Sequence, residues 1–189
     1  MKHQGCWALG LGILTLALVA SPAAAQTTAN GPYYATASWD QTLPSSTRFI
    51  VLSNLASAAV LDRETGLVWE RSPRSAVETI ELGSASCLTA TTGNRAGWRL
   101  PTVNELASLF DPSQTSIPFL PPGHPFTGVP LSGNTFFWSA TPAVSQIDHH
   151  LSVSYTDFPI TALFLHSVAS DGAVAIPWCV RGGLLAEPQ

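Results

Sequence analysis

Two cysteines frame what this chain can become. Cys87 and Cys179 lie 92 residues apart, and the third, Cys6, sits inside an N-terminal segment that reads as an export signal. Two cysteines in an exported chain read as one disulfide. Closing a loop of that length is worth about 4 kcal/mol on the chain-entropy account. The competing reading, two ligands of a zinc site, lacks any CxxC or HxxxH spacing nearby.

The export reading rests on residues 1–25. Lys2 and His3 supply a positive start, Trp7 to Ala20 is an uncharged apolar run, and Ser21-Pro22 breaks it before Ala23-Ala24-Ala25. Those small residues suit a signal peptidase, which places cleavage between Ala25 and Gln26. The apolar run is shorter than the roughly 20 residues that span a bilayer. No membrane span is therefore expected in the mature chain, whose address would be periplasm, cell surface or medium.

Cleavage takes 25 residues from 189 and leaves 164, enough for one domain with its own core. It also takes Lys2, the one lysine. Seven arginines then face twelve acids, a formal net charge of −5. Nucleic acid and anionic membranes need a basic surface and are poor partners for such a chain. Lysine-dependent chemistry, such as Schiff bases or a Ser-x-x-Lys nucleophile, is removed as well.

Along the mature chain, residues 26–57 read as a loose leader and edge segment, 58–183 as the domain, and 184–189 as a tail. Residues 49–61 and 67–70 flank Asp62-Arg-Glu-Thr-Gly66, a turn sequence, so a β-hairpin is expected. Ser72-Pro73 reads as a helix start. Val77, Ile80, Ser84, Cys87 and Leu88 follow at spacings of three and four, which puts Cys87 on a buried face. Thr102-Val-Asn-Glu105 is a capping box that opens a second helix carrying Leu106, Leu109 and Phe110. Residues 112–134 form a long Pro/Gly loop, functional or pinned by its own apolar side chains. Phe136 to Ser139 reads as a buried strand. Strands over 162–169 and 173–181, joined by Ser170-Asp171-Gly172, read as a terminal hairpin.

The order of these pieces resembles a known family. Leu61-Asp-Arg-Glu-Thr-Gly-Leu-Val-Trp69, Gly97-Trp-Arg-Leu-Pro-Thr102 with Asn104-Glu-Leu106, Phe137-Trp-Ser-Ala-Thr-Pro142, and Asp171-Gly172 with Cys179-Val-Arg-Gly-Gly183 resemble the signatures of the Lcl C-terminal domain family. The resemblance covers about residues 58–183. It implies an α+β fold similar to C-type lectins and the sulfatase-modifying-factor group: two helices, a twisted antiparallel sheet, a terminal hairpin, and a disulfide from the first helix to a late strand. Cys87 and Cys179 stand at those two places. Ile80 and Gly83 depart from the family's aromatic-plus-alanine pattern, the stretch 143–161 is long and atypical, and Pro177 intrudes on the last strand.

The chemistry on offer is sparse. The Glu-Pro-Asn, Gln-Pro-Asp and Trp-Asn-Asp runs of calcium-dependent lectins are absent, as is an EF-hand loop. The sulfatase-modifying enzymes need free active-site cysteines, and a disulfide would leave none. Asp148-His149-His150 is the most suggestive polar cluster, with Asp157 and His166 near it in sequence. Adjacent side chains of an extended segment point opposite ways, which favours a solvated loop. Trp69, Trp98 and Trp138 belong to motifs and are expected in the core. Trp39, Tyr33, Tyr34 and Tyr155 are freer to be exposed and to stack on sugars. Arg99 and Arg181 are expected to pair with Glu70, Glu105 or main-chain carbonyls.

These residues point to a non-enzymatic recognition or adhesion domain, with no cofactor and no metal. Its loops 111–135 and 143–161 would form the binding face, with Asp148, His149, His150, Tyr155 and Asp157 as candidate ligand contacts. The expected partner is a glycan or a surface protein. A structural subunit of a surface assembly and a metal-assisted hydrolase are the rival readings.

Overall fold

The computed structural model describes residues 27–29, 43–131, 133–157 and 161–183. The segment 1–25 read as an export signal, Tyr33, Tyr34, Trp39 and residues 184–189 lie outside the described residues.

The architecture is α+β, with few helices and two sheets. Strands β1 (Thr27–Ala29), β2 (Phe49–Leu52), β3 (Ala59–Asp62), β4 (Val68–Glu70) and β8 (Val180–Arg181) form one sheet in that order. Its pairs are antiparallel except β1–β2, which is parallel. Strands β5 (Thr135–Pro142), β6 (His149–Thr156) and β7 (Ala162–Ser170) form a second, antiparallel sheet. Among the described residues three short helices accompany them: α1 (Ser45–Arg48), α2 (Ile80–Leu88) and α3 (Val103–Ala107).

The hairpin around Asp62–Gly66 forms as β3–β4. Asp62 explains its turn sequence. Its carboxylate accepts from the Glu64 amide and the Thr65 hydroxyl, and its own carbonyl accepts from the Gly66 amide. Gly66 takes φ 72°, where a side chain would be strained. The preceding run 49–61 is two strands rather than one. A 3-10 turn at Ser53–Leu55, followed by left-handed Ala56 and Ser57, folds β2 back against β3.

The helix expected from Ser72-Pro73 begins only at Ile80, and Val77 and Leu88 are exposed. Main-chain pairing overrides propensity there. The Arg74 amide donates to Pro177 O, Glu78 and Ala175 exchange hydrogen bonds, and the Trp138 indole donates to Glu78 O. Arg74 and Glu78 are thus held beside 175–177, with a bend at Ser75 and Ala76 between them. Cys87 is nonetheless fully buried, and it is bonded to Cys179.

The terminal hairpin does not form. The turn Ser170–Ala173 closes with Ala173 N donating to Ser170 O, but β7 pairs with β6 instead. The chain beyond the turn bridges Glu78 and Phe137 before β8 joins β4. Pro177 has no amide to give a ladder, which disfavours a regular partner strand there. The stretch 143–161, read as a loop, contains β6, the central strand of the second sheet. Its signal was the alternation Leu151-Ser-Val153-Ser-Tyr155.

Two cores result. One gathers Phe49, Trp69, Phe126, Phe137, Tyr155 and Trp178, with Trp178 set edge-on against Trp69 and Phe126 at ring-centre distances of 6.1 and 5.1 Å. The other surrounds the disulfide with Leu52, Leu55, Trp98 and Trp138. Trp69, Trp98 and Trp138 are fully buried, as expected.

Gly83 and Pro177, both departures from the family pattern, meet each other. A Cβ on Gly83 would lie 3.1 Å from Pro177 Cγ and 3.5 Å from Trp138 Cδ1. The proline ring takes the room that an alanine in the helix would use.

Candidate functional site

The five sequence candidates do not form one site. Asp148, His149 and His150 open β6, whereas Tyr155 and Asp157 stand at its far end, about 20 Å away at ~3.3 Å per residue. Tyr155 is in the core rather than exposed. Its hydroxyl donates to Pro130 O, and burial pushes the phenol up to about 12. Asp157 is exposed and accepts from the Gly133 amide at 2.8 Å. The stretches 111–135 and 143–161 meet at this far end, through Gly133 with Asp157 and Pro130 with Tyr155, whereas Asp148 to His150 lie at the other end of β6.

At the β6 start the structure supplies a partner that the sequence reading did not name. His150 Nδ1 lies 2.6 Å from Asp171 Oδ1, and the Asp171 amide donates to Asp148 O. His149 turns away, its Nδ1 2.8 Å from Ile147 O. His166 faces Asn104 on α3. An imidazole oriented by a carboxylate can begin a proton-transfer unit. Among the described residues, no three His, Cys, Asp or Glu side chains are grouped to hold a metal. The pair instead ties the β6 start to the turn after β7.

An open concavity lies elsewhere. Leu43, Pro44, Ser45 and Arg48 form one wall, and Phe110 to Ser113 with Pro121 and Pro122 form the other, around an open groove of about 570 Å³. That volume is within the range of small-ligand sites. The second wall is the start of the long loop, which its own structure holds in place. The Asp111 amide donates to Phe119 O at 2.7 Å, and the buried side chains of Phe119, Leu120, Phe126 and Val129 pin the loop to the first core.

Arg48 anchors the base of the groove. Its guanidinium binds both Asp62 oxygens at 2.9 and 2.8 Å, reaches Glu64 at 3.0 Å, donates to Ser108 O and lies over the Phe49 ring. With Arg48 so committed, Asp111 is the charge the rim offers. Its carboxylate accepts from the Ser113 hydroxyl, the Gln114 amide and the Ser113 main chain, which hold it below the usual carboxylate range. Proline-lined walls beside one carboxylate suit an uncharged or cationic ligand with apolar faces. Sequence reasoning missed Arg48, and nothing local marks it beyond an arginine set directly before the apolar run Phe49–Leu52.

The signature motifs go to the scaffold instead. Arg99 makes a two-pronged pair with Glu105 at 2.8 and 2.7 Å and donates to Gly182 O. Glu105 closes the α3 capping box with Thr102, as expected. Burial would raise the Glu105 carboxyl, but hydrogen bonds from Arg99 and Thr102 outweigh it and hold it low. Gly183, at φ 88°, sits where a Cβ would come within 2.9 Å of Glu105 Oε1. Ser139 donates to Leu151 O, and Pro101 O accepts from Ala140 N, joining two motifs across the sheet. The model of the Lcl C-terminal domain family matches residues 58–181. The chain belongs to that family. Curated proteins and solved structures gave no match. The Lcl C-terminal match begins after Arg48, so one wall of the groove comes from outside it.

Proposed function

We propose that this chain is an exported, non-enzymatic recognition or adhesion domain that holds a neutral glycan or surface polymer in the Arg48–Asp111 groove. The observation that carries this reading is the groove itself. Its proline-lined walls suit the C–H faces of sugars, and the Asp111 carboxylate, kept ionised by its hydrogen bonds, can accept from sugar hydroxyls. A net negative rim disfavours acidic polymers.

The finer fold reading is a C-type-lectin-like one, supported by the disulfide from α2 to the segment before β8. This is an argument by fold analogy, so function rests on the groove rather than on the likeness. The test is a glycan-array screen of the oxidised protein, residues 26–189, with calcium and with EDTA. Selective binding that survives EDTA is the expected result. A blank array from folded, disulfide-bonded protein would reject the glycan reading in favour of protein–protein assembly.

A further inference from the structure

The strand β7 forms the outer edge of the second sheet, and among the described residues nothing pairs with its far side. Its sequence, Ala162-Leu-Phe-Leu-His-Ser-Val-Ala-Ser170, contains no Asp, Glu, Lys, Arg, Pro or Gly. Natural edges are usually blunted by charge, proline or shortness. This one is nine residues long and keeps only an irregularity opposite Ser152–Ser154. Phe164 and Val168 are exposed on it, 49% and 46%.

We infer that β7 pairs antiparallel with β7 of a second copy, joining two three-stranded sheets into one of six strands. A second copy fits because the strand is complementary to itself. The register with β6 puts Phe164, Ser167 and Ala169 on the face of Ser154, Ser152 and His150, and Leu163 and Val168 on the face of Tyr155 and Leu151. A two-fold axis between Leu165 and His166 sets Phe164 opposite Ser167, Leu163 opposite Val168 and Ala162 opposite Ala169 of the other copy. Every opposed pair then shares a face, and the two irregularities coincide at the axis. Charge points the same way. The mature chain carries −5 overall, which repels copies in most orientations, but two uncharged strands meet here without that cost. Strand pairing alone buries less than a standard interface, so the dimer is a concentration-dependent one.

Sedimentation velocity on the oxidised protein over a concentration series reads this directly, together with hydrogen exchange of the β7 amides. The expected result is a reversible dimer whose β7 amides exchange at least 10-fold more slowly at high concentration than at low. His166→Lys places two ammonium groups beside the axis and should return the protein to monomer with its urea midpoint unchanged. Monomer at every concentration overturns the inference, as does a dimer that survives His166→Lys. Slow β7 exchange at all dilutions would mean that another part of the chain covers the edge, and would also overturn it.

Discussion

Replacing Gly83 by Ala tests whether the two departures from the family pattern are one feature. In a helix interior the change should gain about 1 kcal/mol, because alanine loses less backbone freedom than glycine. Here the new Cβ would stand 3.1 Å from Pro177 Cγ, inside ordinary contact distance. Pro177 cannot withdraw freely, since its ring is buried and its carbonyl accepts from the Arg74 amide. Overpacking of this kind costs about 1–3 kcal/mol. The single variant should therefore be about 1 kcal/mol less stable than the parent. Pro177→Ala removes Cγ and loses about 1–2 kcal/mol of buried contact. In that background Gly83→Ala should recover its gain of about 1 kcal/mol. The coupling between the sites is then about 2 kcal/mol, well above the few tenths expected of independent sites. Urea unfolding of the four oxidised proteins measures it, with equal slopes required for the comparison. Coupling below about 0.5 kcal/mol would refute the account of why this helix carries glycine.

Three further outcomes follow from the scaffold. Glu105→Gln should cost about 2 kcal/mol at pH 7, since it removes a charge-assisted pair and weakens the α3 cap. Because the folded carboxyl is held below its unfolded value, that contribution is complete above the unfolded value and lost as pH falls through the folded one. Parent and variant should converge in acid, and urea midpoints against pH would show a constant gap if this were wrong. Cys87→Ser with Cys179→Ser should lower stability by about 4–5 kcal/mol for a 92-residue loop, read by the same unfolding curves under non-reducing conditions. Arg48→Met strands the fully buried Asp62 carboxylate and should cost about 3–5 kcal/mol, with a loss under 1 kcal/mol telling against a structural role.

What the sequence disclosed depended on how local the physics was. The Asp62–Gly66 turn and the Thr102–Glu105 capping box rest on contacts within a few residues, and both formed. Ser72-Pro73 looked like a helix start by the same local rules, yet main-chain partners about 100 residues away hold Arg74 and Glu78 out of a helix. Asp171-Gly172 likewise made its turn but not the expected hairpin, because β6 offered β7 a full ladder. That strand went unread because its alternating serines resembled a loop. They are buried, with Ser152 donating to Ser167 O and the Ser154 hydroxyl bonded to that of Ser167. The groove was half legible. Its loop wall announced itself by length and proline content, whereas Arg48 depends on Asp62, a partner that only the folded β2–β3 pair brings near.

This division bears on the family as well as on the chain. The motifs that mark membership fill the turn, the helix cap, the Arg99–Glu105 pair and the disulfide. They specify a frame. The groove draws on residues 43–48 and 110–122, largely outside those motifs, and Arg48 ties it to Asp62 of the turn.

The most direct test of the central claim is calorimetric titration of the best array ligand into three oxidised proteins: the parent, Ser113→Trp and His149→Ala/His150→Ala. The indole of Ser113→Trp would fill the groove from an exposed rim position. The account predicts at least a 10-fold loss of affinity for that variant and parental affinity for the histidine variant. Full binding by Ser113→Trp, or loss confined to the histidine variant, would contradict it.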